Sequence, residues 1–170
     1  FIGKVHRKLK SKKKNLLTII IPRHINRKYE IINNLNQIGL KTELHSTSKK
    51  LKKNTDIYLV DTYGEANKFY ELSKITFLGG SLISHGGQNP LEAAREGNYI
   101  IHGPNIDNFK EVYELLKKLK IATKVNTVKK MNNIVLKKIN YKQQKIVNKR
   151  LNYEGIKILN KNLHEINNYI

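Results

Sequence analysis

What most restricts this chain is an alternation. Short apolar runs, largely β-branched, are separated by segments with helical spacing, and each run gives way to a loop punctuated by Gly, Pro or hydroxyl side chains. Residues 16–21 form an unbroken run of Leu, Thr and Ile stopped by Pro22, the pattern of a strand buried on both faces of a parallel sheet. From Asn26 onward, Ile31, Ile32, Leu35 and Ile38 recur every three or four residues, and Gly39 closes the segment as a helix C-cap. The pattern continues with strands over 42–44, 57–60, 75–78 and 99–102. Between them lie one helix marked by Phe69, Tyr70 and Leu72 and another over 90–96 that ends at Gly97. Such alternation predicts an α/β fold, a Rossmann-like doubly wound domain with a mainly parallel sheet, and places ligands at the carboxyl ends of its strands.

Beyond Gly103 and Pro104 the pattern turns helical. Phe109, Val112, Leu115, Leu116 and Leu119 make one apolar stripe, a strand is expected near 121–125, and further helices are expected over 125–139 and 143–169. The reading is therefore of one domain, residues 16–150, preceded by a basic linker or frayed start over 1–15 and followed by a carboxy-terminal helix over 151–170. A chain of 170 residues that is 39% hydrophobic can bury a core without covalent staples. Having no Cys, it forms neither disulfides nor thiolate metal sites, which fits a reducing compartment. Its apolar runs fall far short of the roughly 20 residues that cross a bilayer. The 33 Lys and Arg against 13 Asp and Glu give a net charge of +20, which attracts polyanions. Much of that excess reads as Lys decorating solvent-facing positions along the whole chain.

Three loops carry residues suited to phosphate and ribose. Pro22, Arg23 and His24 follow the first strand, with Arg27 one turn on. A guanidinium at a strand end offers a planar fork of donors to a phosphate, although an Arg paired with a nearby carboxylate fits the same residues. In the second loop, Asp61 to Glu65, Thr62 and Glu65 have capping-box spacing, and Gly64 leaves room for a close approach. The third is the most informative. Gly79 and Gly80, then Gly86 and Gly87, straddle a short loop, after which Asn89, Pro90 and Glu92 match the N-cap, N1 and N3 positions of a helix. Bare amides beside a helix start make an anion cradle, and Glu92 supplies a carboxylate for ribose hydroxyls. The spacing is neither the dinucleotide fingerprint nor the Walker pattern. His24, His85 and His102 lack the spacing of a metal site, so no metal is expected.

Taken together, Pro22-Arg23-His24, Asp61 to Glu65, Gly79 to Leu82 with Gly86 to Glu92, and Gly103-Pro104 with Asn108-Phe109 closely resemble the carboxy-terminal domain of the Kdo transferases, over about residues 16–116. Two positions depart from that pattern: Gln88 stands where His is more usual, and Arg95 puts a charge beside Ala93 and Ala94. The resemblance implies the carboxy-terminal half of a glycosyltransferase-B fold that binds the donor CMP-Kdo and uses no cofactor. The parent enzyme transfers Kdo to the lipid A precursor, lipid IVA, in lipopolysaccharide biosynthesis, by an inverting, metal-independent reaction at the cytoplasmic face of the inner membrane. It further implies that Arg23 stabilises the leaving group and that Pro22, Arg23, Tyr63, Gly64, Glu65, Gly86, Gly87, Asn89, Pro90, Leu91 and Glu92 contact the donor. The general base and the lipid acceptor site belong to an amino-terminal domain outside these residues. The expected partners are CMP-Kdo, the lipid acceptor through that domain, and an anionic membrane surface. Two competing readings are a UDP-type glycosyltransferase or epimerase and a basic nucleic-acid-binding module. The second lacks any recognised binding module in the sequence.

Overall fold

A computed structural model describes residues 1–48 and 50–142 together with Lys149, Leu151 and Tyr153. The chain divides into two compact units. The first takes in residues 1–69 and 125–139, and the second residues 70–124 and the chain from 140 onward. Each unit is built on its own three-stranded sheet, and both sheets are wholly parallel. The expected α/β fold is therefore present, with its strands in two sheets rather than one continuous one.

In the first unit the strands β1 (Thr18–Ile20), β2 (Thr42–Leu44) and β3 (Ile57–Leu59) lie in the order β1-β3-β2. The middle strand is the buried one: Ile57 and Leu59 are fully inaccessible, whereas all of β1 is half-buried. The run at 16–21 is thus not buried on both faces as expected, because in this sheet β1 is an edge and Leu17 and Ile21 stay exposed. A 3-10 turn over Ile25–Arg27 leads into α2 (Lys28–Asn36). That helix ends in a Schellman motif around Gly39, whose φ of +73° suits glycine. The Leu40 amide reaches the Leu35 carbonyl at 3.1 Å and the Gly39 amide reaches Asn36 at 2.9 Å. Leu35 and Leu40 then pack on Ile57 in one core.

The linker expected over residues 1–15 is overturned. Residues Ile2–Lys10 form α1, which buries Gly3, Val5, His6 and Leu9. Spacing by three and four was present in Ile2, Val5 and Leu9, but the surrounding lysines masked it. Polar anchoring completes the docking. His6 Nδ1 lies 2.8 Å from Thr18 Oγ1 and His6 Nε2 lies 3.4 Å from Asp56, while Lys10 also pairs with Asp56. Burial lowers the pKa of His6 despite the opposing pull of Asp56, so the neutral ring donates from Nε2 to the carboxylate and accepts the Thr18 hydroxyl at Nδ1. A side chain at Gly3 would collide with Ile38 at 2.6 Å, so glycine here permits close approach to the chain after α2. The helix α6 (Val128–Lys138), capped by Thr127 accepting the Lys130 amide at 3.1 Å, packs against α1.

In the second unit β4 (Ile75–Leu78), β5 (Tyr99–His102) and β6 (Ala122–Lys124) lie in sequence order. Every residue of the central β5 is buried. The helix α3 (Ala66–Leu72) spans the boundary between the units, and α4 (Leu91–Arg95) and α5 (Lys110–Lys118) follow β4 and β5. Ala93, Ala94, Ile100, Tyr113, Leu116 and Ile121 form the core with Leu78. Burial of Ala93 and Ala94 with Arg95 exposed shows that the charge at Arg95 sits on the outer face of α4. The helix expected over 143–169, which overlaps the expected terminal segment 151–170, falls outside the described residues except at Lys149, Leu151 and Tyr153, all three helical, with Leu151 in this core.

Candidate functional site

The sequence-predicted residues fall into two sets, one in each unit. In the first unit Pro22 and Arg23 follow the carboxyl end of β1, and Tyr63, Gly64 and Glu65 follow β3, its neighbour in the sheet. Arg23 is exposed and makes no hydrogen bond or ion pair among the described residues. Arg27 differs: its guanidinium is bidentate on Glu30, at 2.9 and 2.8 Å. Of the two arginines in this loop, the alternative of an internally paired cation therefore applies to Arg27, and Arg23 keeps its donors for an external anion.

The β3 loop is fixed by a residue that carries no local sequence signature. Asp61, only 5% exposed, accepts hydrogen bonds from the Ser46 amide at 2.9 Å, the Ser46 hydroxyl at 2.7 Å and Lys28 Nζ at 3.0 Å. Burial alone would raise its pKa, but the two Ser46 bonds and the Lys28 charge outweigh that and hold it down to about 2. Asp61 thus ties the start of α2 and the turn after β2 to the end of β3. Glu65 is anchored as well. Its carboxylate accepts from the Thr62 hydroxyl, His45 Nε2 lies at 3.0 Å, and Lys68 lies at 3.2 Å. The Thr62 bond, reinforced by Lys68, lowers the Glu65 pKa. The expected capping box is therefore a side-chain pair preceding α3, which begins at Ala66. His45 in turn meets Tyr58 through Nδ1 at 2.8 Å and sets its ring edge-on to Tyr58 and Phe69. Tyr63 projects beyond this network at 69% exposure, and Gly64 adopts a φ of +79°.

In the second unit the glycine-lined loop after β4 is held by four side chains. Ser81, fully buried, donates to the Leu78 carbonyl at 2.7 Å and accepts the Gly103 amide at 2.7 Å. The Ser81 carbonyl accepts the Asn105 amide at 2.9 Å and the Asn105 side chain at 3.3 Å. Two further donors reach the second glycine pair: Asn108 Nδ2 bonds the Gly87 carbonyl at 2.6 Å, and the Tyr113 hydroxyl bonds the Gln88 carbonyl at 2.7 Å. Burial first, and Tyr70 second, push the Tyr113 phenol far above its ordinary value, so it remains a donor. Gly80, at a φ of +78°, brings its backbone against the Gly86 carbonyl so closely that no Cβ fits. With the Gly87 and Gln88 carbonyls occupied by protein donors, the course of the loop is fixed from within its own unit.

Gly86 is half-buried and Gly87 buried, while Asn89 and Glu92 are exposed and Pro90 is buried. Asn89 Oδ1 caps the Leu91 amide at 3.0 Å, and α4 begins at Leu91, one residue later than its sequence signature. The Glu92 carboxylate makes no hydrogen bond or ion pair among the described residues, whereas its carbonyl accepts the Glu96 amide at 3.3 Å. At five residues α4 is short, so its dipole adds little. His24 and His85 are exposed, whereas buried His102 donates from Nδ1 to the Gly103 carbonyl at 2.7 Å and lies against the Tyr113 ring. Among the described residues no three His, Asp or Glu side chains gather as a metal site. Ser81, Asn108 and Tyr113 were missed as supports because hydrogen bonds between groups 21 to 25 residues apart leave no local sequence signature.

Parallel sheets flanked by helices, with a glycine-lined loop and an unpaired Arg at strand ends, define the class: an α/β domain whose strand-end loops suit an anionic ligand. No protein-family model matches the chain. Comparison with known proteins places its homologues among the Kdo transferases. The chain is 36% identical over 126 residues to the 3-deoxy-D-manno-octulosonic acid transferase of Haemophilus influenzae, covering 74% of this chain and 30% of that protein. It is 34% identical over 122 residues to the transferase of the same name from Rickettsia prowazekii, covering 72% of this chain and 26% of that protein. A solved structure, the C-terminal CMP-Kdo binding domain of WaaA from Acinetobacter baumannii, superposes with a TM-score of 0.76 at 26% identity and covers 82% of this chain and 72% of that one. The chain spans less than a third of the length of the two transferases.

Proposed function

We propose that this chain is the donor-binding part of a Kdo transferase and binds CMP-Kdo. The likeness to a solved CMP-Kdo binding domain supports the reading most directly, and the unpaired Arg23 and the braced glycine loop supply the chemistry. As the bond between Kdo and CMP breaks, negative charge grows on the CMP phosphate. Donors already fixed in place stabilise that charge more in the transition state than in the ground state. Arg23 is the candidate for that role in the first unit, and the amides of Gly86, Gly87 and Asn89 are the candidates in the second. Pro22, Tyr63, Gly64 and Glu65 line the nucleotide, while Pro90, Leu91 and Glu92 take the ribose side, with the Glu92 carboxylate accepting its hydroxyls. The parent enzyme transfers Kdo to the lipid A precursor by an inverting, metal-independent displacement whose general base lies in its amino-terminal part, at the cytoplasmic face of the inner membrane and beside an anionic lipid surface.

Calorimetry with CMP and UMP tests this. CMP should bind the chain and Arg23→Ala should weaken it, while Arg27→Ala leaves it unchanged. Stronger binding of UMP would point instead to a UDP-type transferase, and loss of CMP affinity in both variants alike would remove the special role of Arg23. In the full-length enzyme, Arg23→Ala should cut turnover by on the order of 100-fold, the loss typical of a removed charge-stabilising donor.

A further inference from the structure

The positive charge of this protein is not evenly spread. Eleven of its 33 Lys and Arg lie in residues 1–15 and 125–139, which contain no Asp or Glu. These segments are more than a hundred residues apart, yet α1 and α6 pack on one another within the first unit. On α1 the exposed Lys4, Arg7 and Lys8 recur at three and four residues, so they share one stripe opposite the buried Val5 and Leu9. Exposed Lys12, Lys13 and Lys14 extend it past the helix end. On α6 the exposed Lys129, Lys130 and Lys137 stand opposite buried Met131 and Asn132. Lys10 pairs with Asp56.

We infer that the α1–α6 layer is a docking surface for an anionic lipid bilayer. A headgroup plane presents a diffuse negative potential, which suits ammonium groups on flexible stems. Single-stranded nucleic acid is held by aromatic side chains that stack bases and by guanidinium groups, whereas this layer offers one Arg and eight exposed Lys. Phe1 at 43% exposure before α1 and Leu17 at 37% after the lysine run flank the basic segment with apolar side chains, as suits shallow insertion between headgroups. The inference rests on the membrane location proposed above for its partner, and on no part of the donor site.

Co-sedimentation of the full chain with vesicles tests it, using phosphatidylcholine alone and phosphatidylcholine mixed with phosphatidylglycerol. The protein should bind only the anionic vesicles, and added salt should release it. Replacing Lys12, Lys13 and Lys14 by Gln should reduce partitioning on the order of 100-fold, since each cation near such a surface strengthens binding about five-fold. The same change at Lys129, Lys130 and Lys137 should act similarly. A control replacing the exposed Lys50, Lys52 and Lys53 removes equal charge elsewhere and should keep most of the binding. Equal losses in the control would overturn the assignment in favour of net charge alone. Tighter capture of a single-stranded RNA, lost in the same variants, would make the layer a nucleic-acid surface instead. Failure to bind anionic vesicles while CMP still binds would remove the membrane location and leave the donor reading standing.

Discussion

Asp61 shows how one side chain can matter more than its sequence context suggests. Its carboxylate is held at about 2 by Ser46 and Lys28 against the cost of burial, below an unfolded value near 4. A depressed pKa contributes stability that is fully present above the unfolded value and is lost as pH falls through the folded one. Asp61→Asn should therefore lower stability by about 2 kcal/mol at neutral pH, with the gap closing below about pH 3, as urea denaturation at a series of pH values would record. A constant gap would mean that packing, not charge, is responsible. Lys120 makes a second residue-level case. It sits at a φ of +59° in the Schellman motif that ends α5, where the Ile121 amide bonds Leu116 at 3.1 Å and the Lys120 amide bonds Lys117 at 2.9 Å. Gly39 and Gly97 fill the same position after α2 and α4. Lys120→Gly removes the left-handed penalty and should raise stability by about 0.5–1 kcal/mol, visible as a higher Tm.

Among the elements, the loop after β4 depends on its neighbours more than on its own glycines. Tyr113→Phe deletes only the hydroxyl that holds the Gln88 carbonyl, so the core around the ring remains. It should weaken CMP binding several-fold with little change in Tm, and equal affinity in the two proteins would show that the loop holds its shape unaided. Ser81→Ala leaves the buried Gly103 amide without its acceptor, a loss of about 1–3 kcal/mol. Gly103→Ala should be more damaging still, because its Cβ would overlap the Ser81 backbone. The elements themselves were largely legible. The strands at 42–44 and 75–78 and the Gly39 and Gly97 helix ends follow from apolar runs and from glycine's tolerance of positive φ. The start of α4 was displaced because Asn89 caps from one residue further out, and α1 was hidden because only one narrow face of it is apolar.

At the scale of the molecule, each unit carries its own set of candidate residues, and two distant basic segments meet in the first of them. Sequence alone determined the α/β class, the parallel strands, the three strand-end loops and their likeness to the Kdo transferases. Those follow from local spacing and from residue types whose backbone preferences act over a few positions. Which strand is central, which Arg is free, what braces the glycine loop and where α1 docks were decided only in the tertiary structure. Each depends on groups far apart in the chain: Asp61 with Ser46 and Lys28, Tyr113 with Gln88, His6 with Asp56, α1 with α6. Hydrogen bonds and ion pairs of that kind form between whichever partners the fold brings within about 3 Å, and no periodicity in the sequence records them.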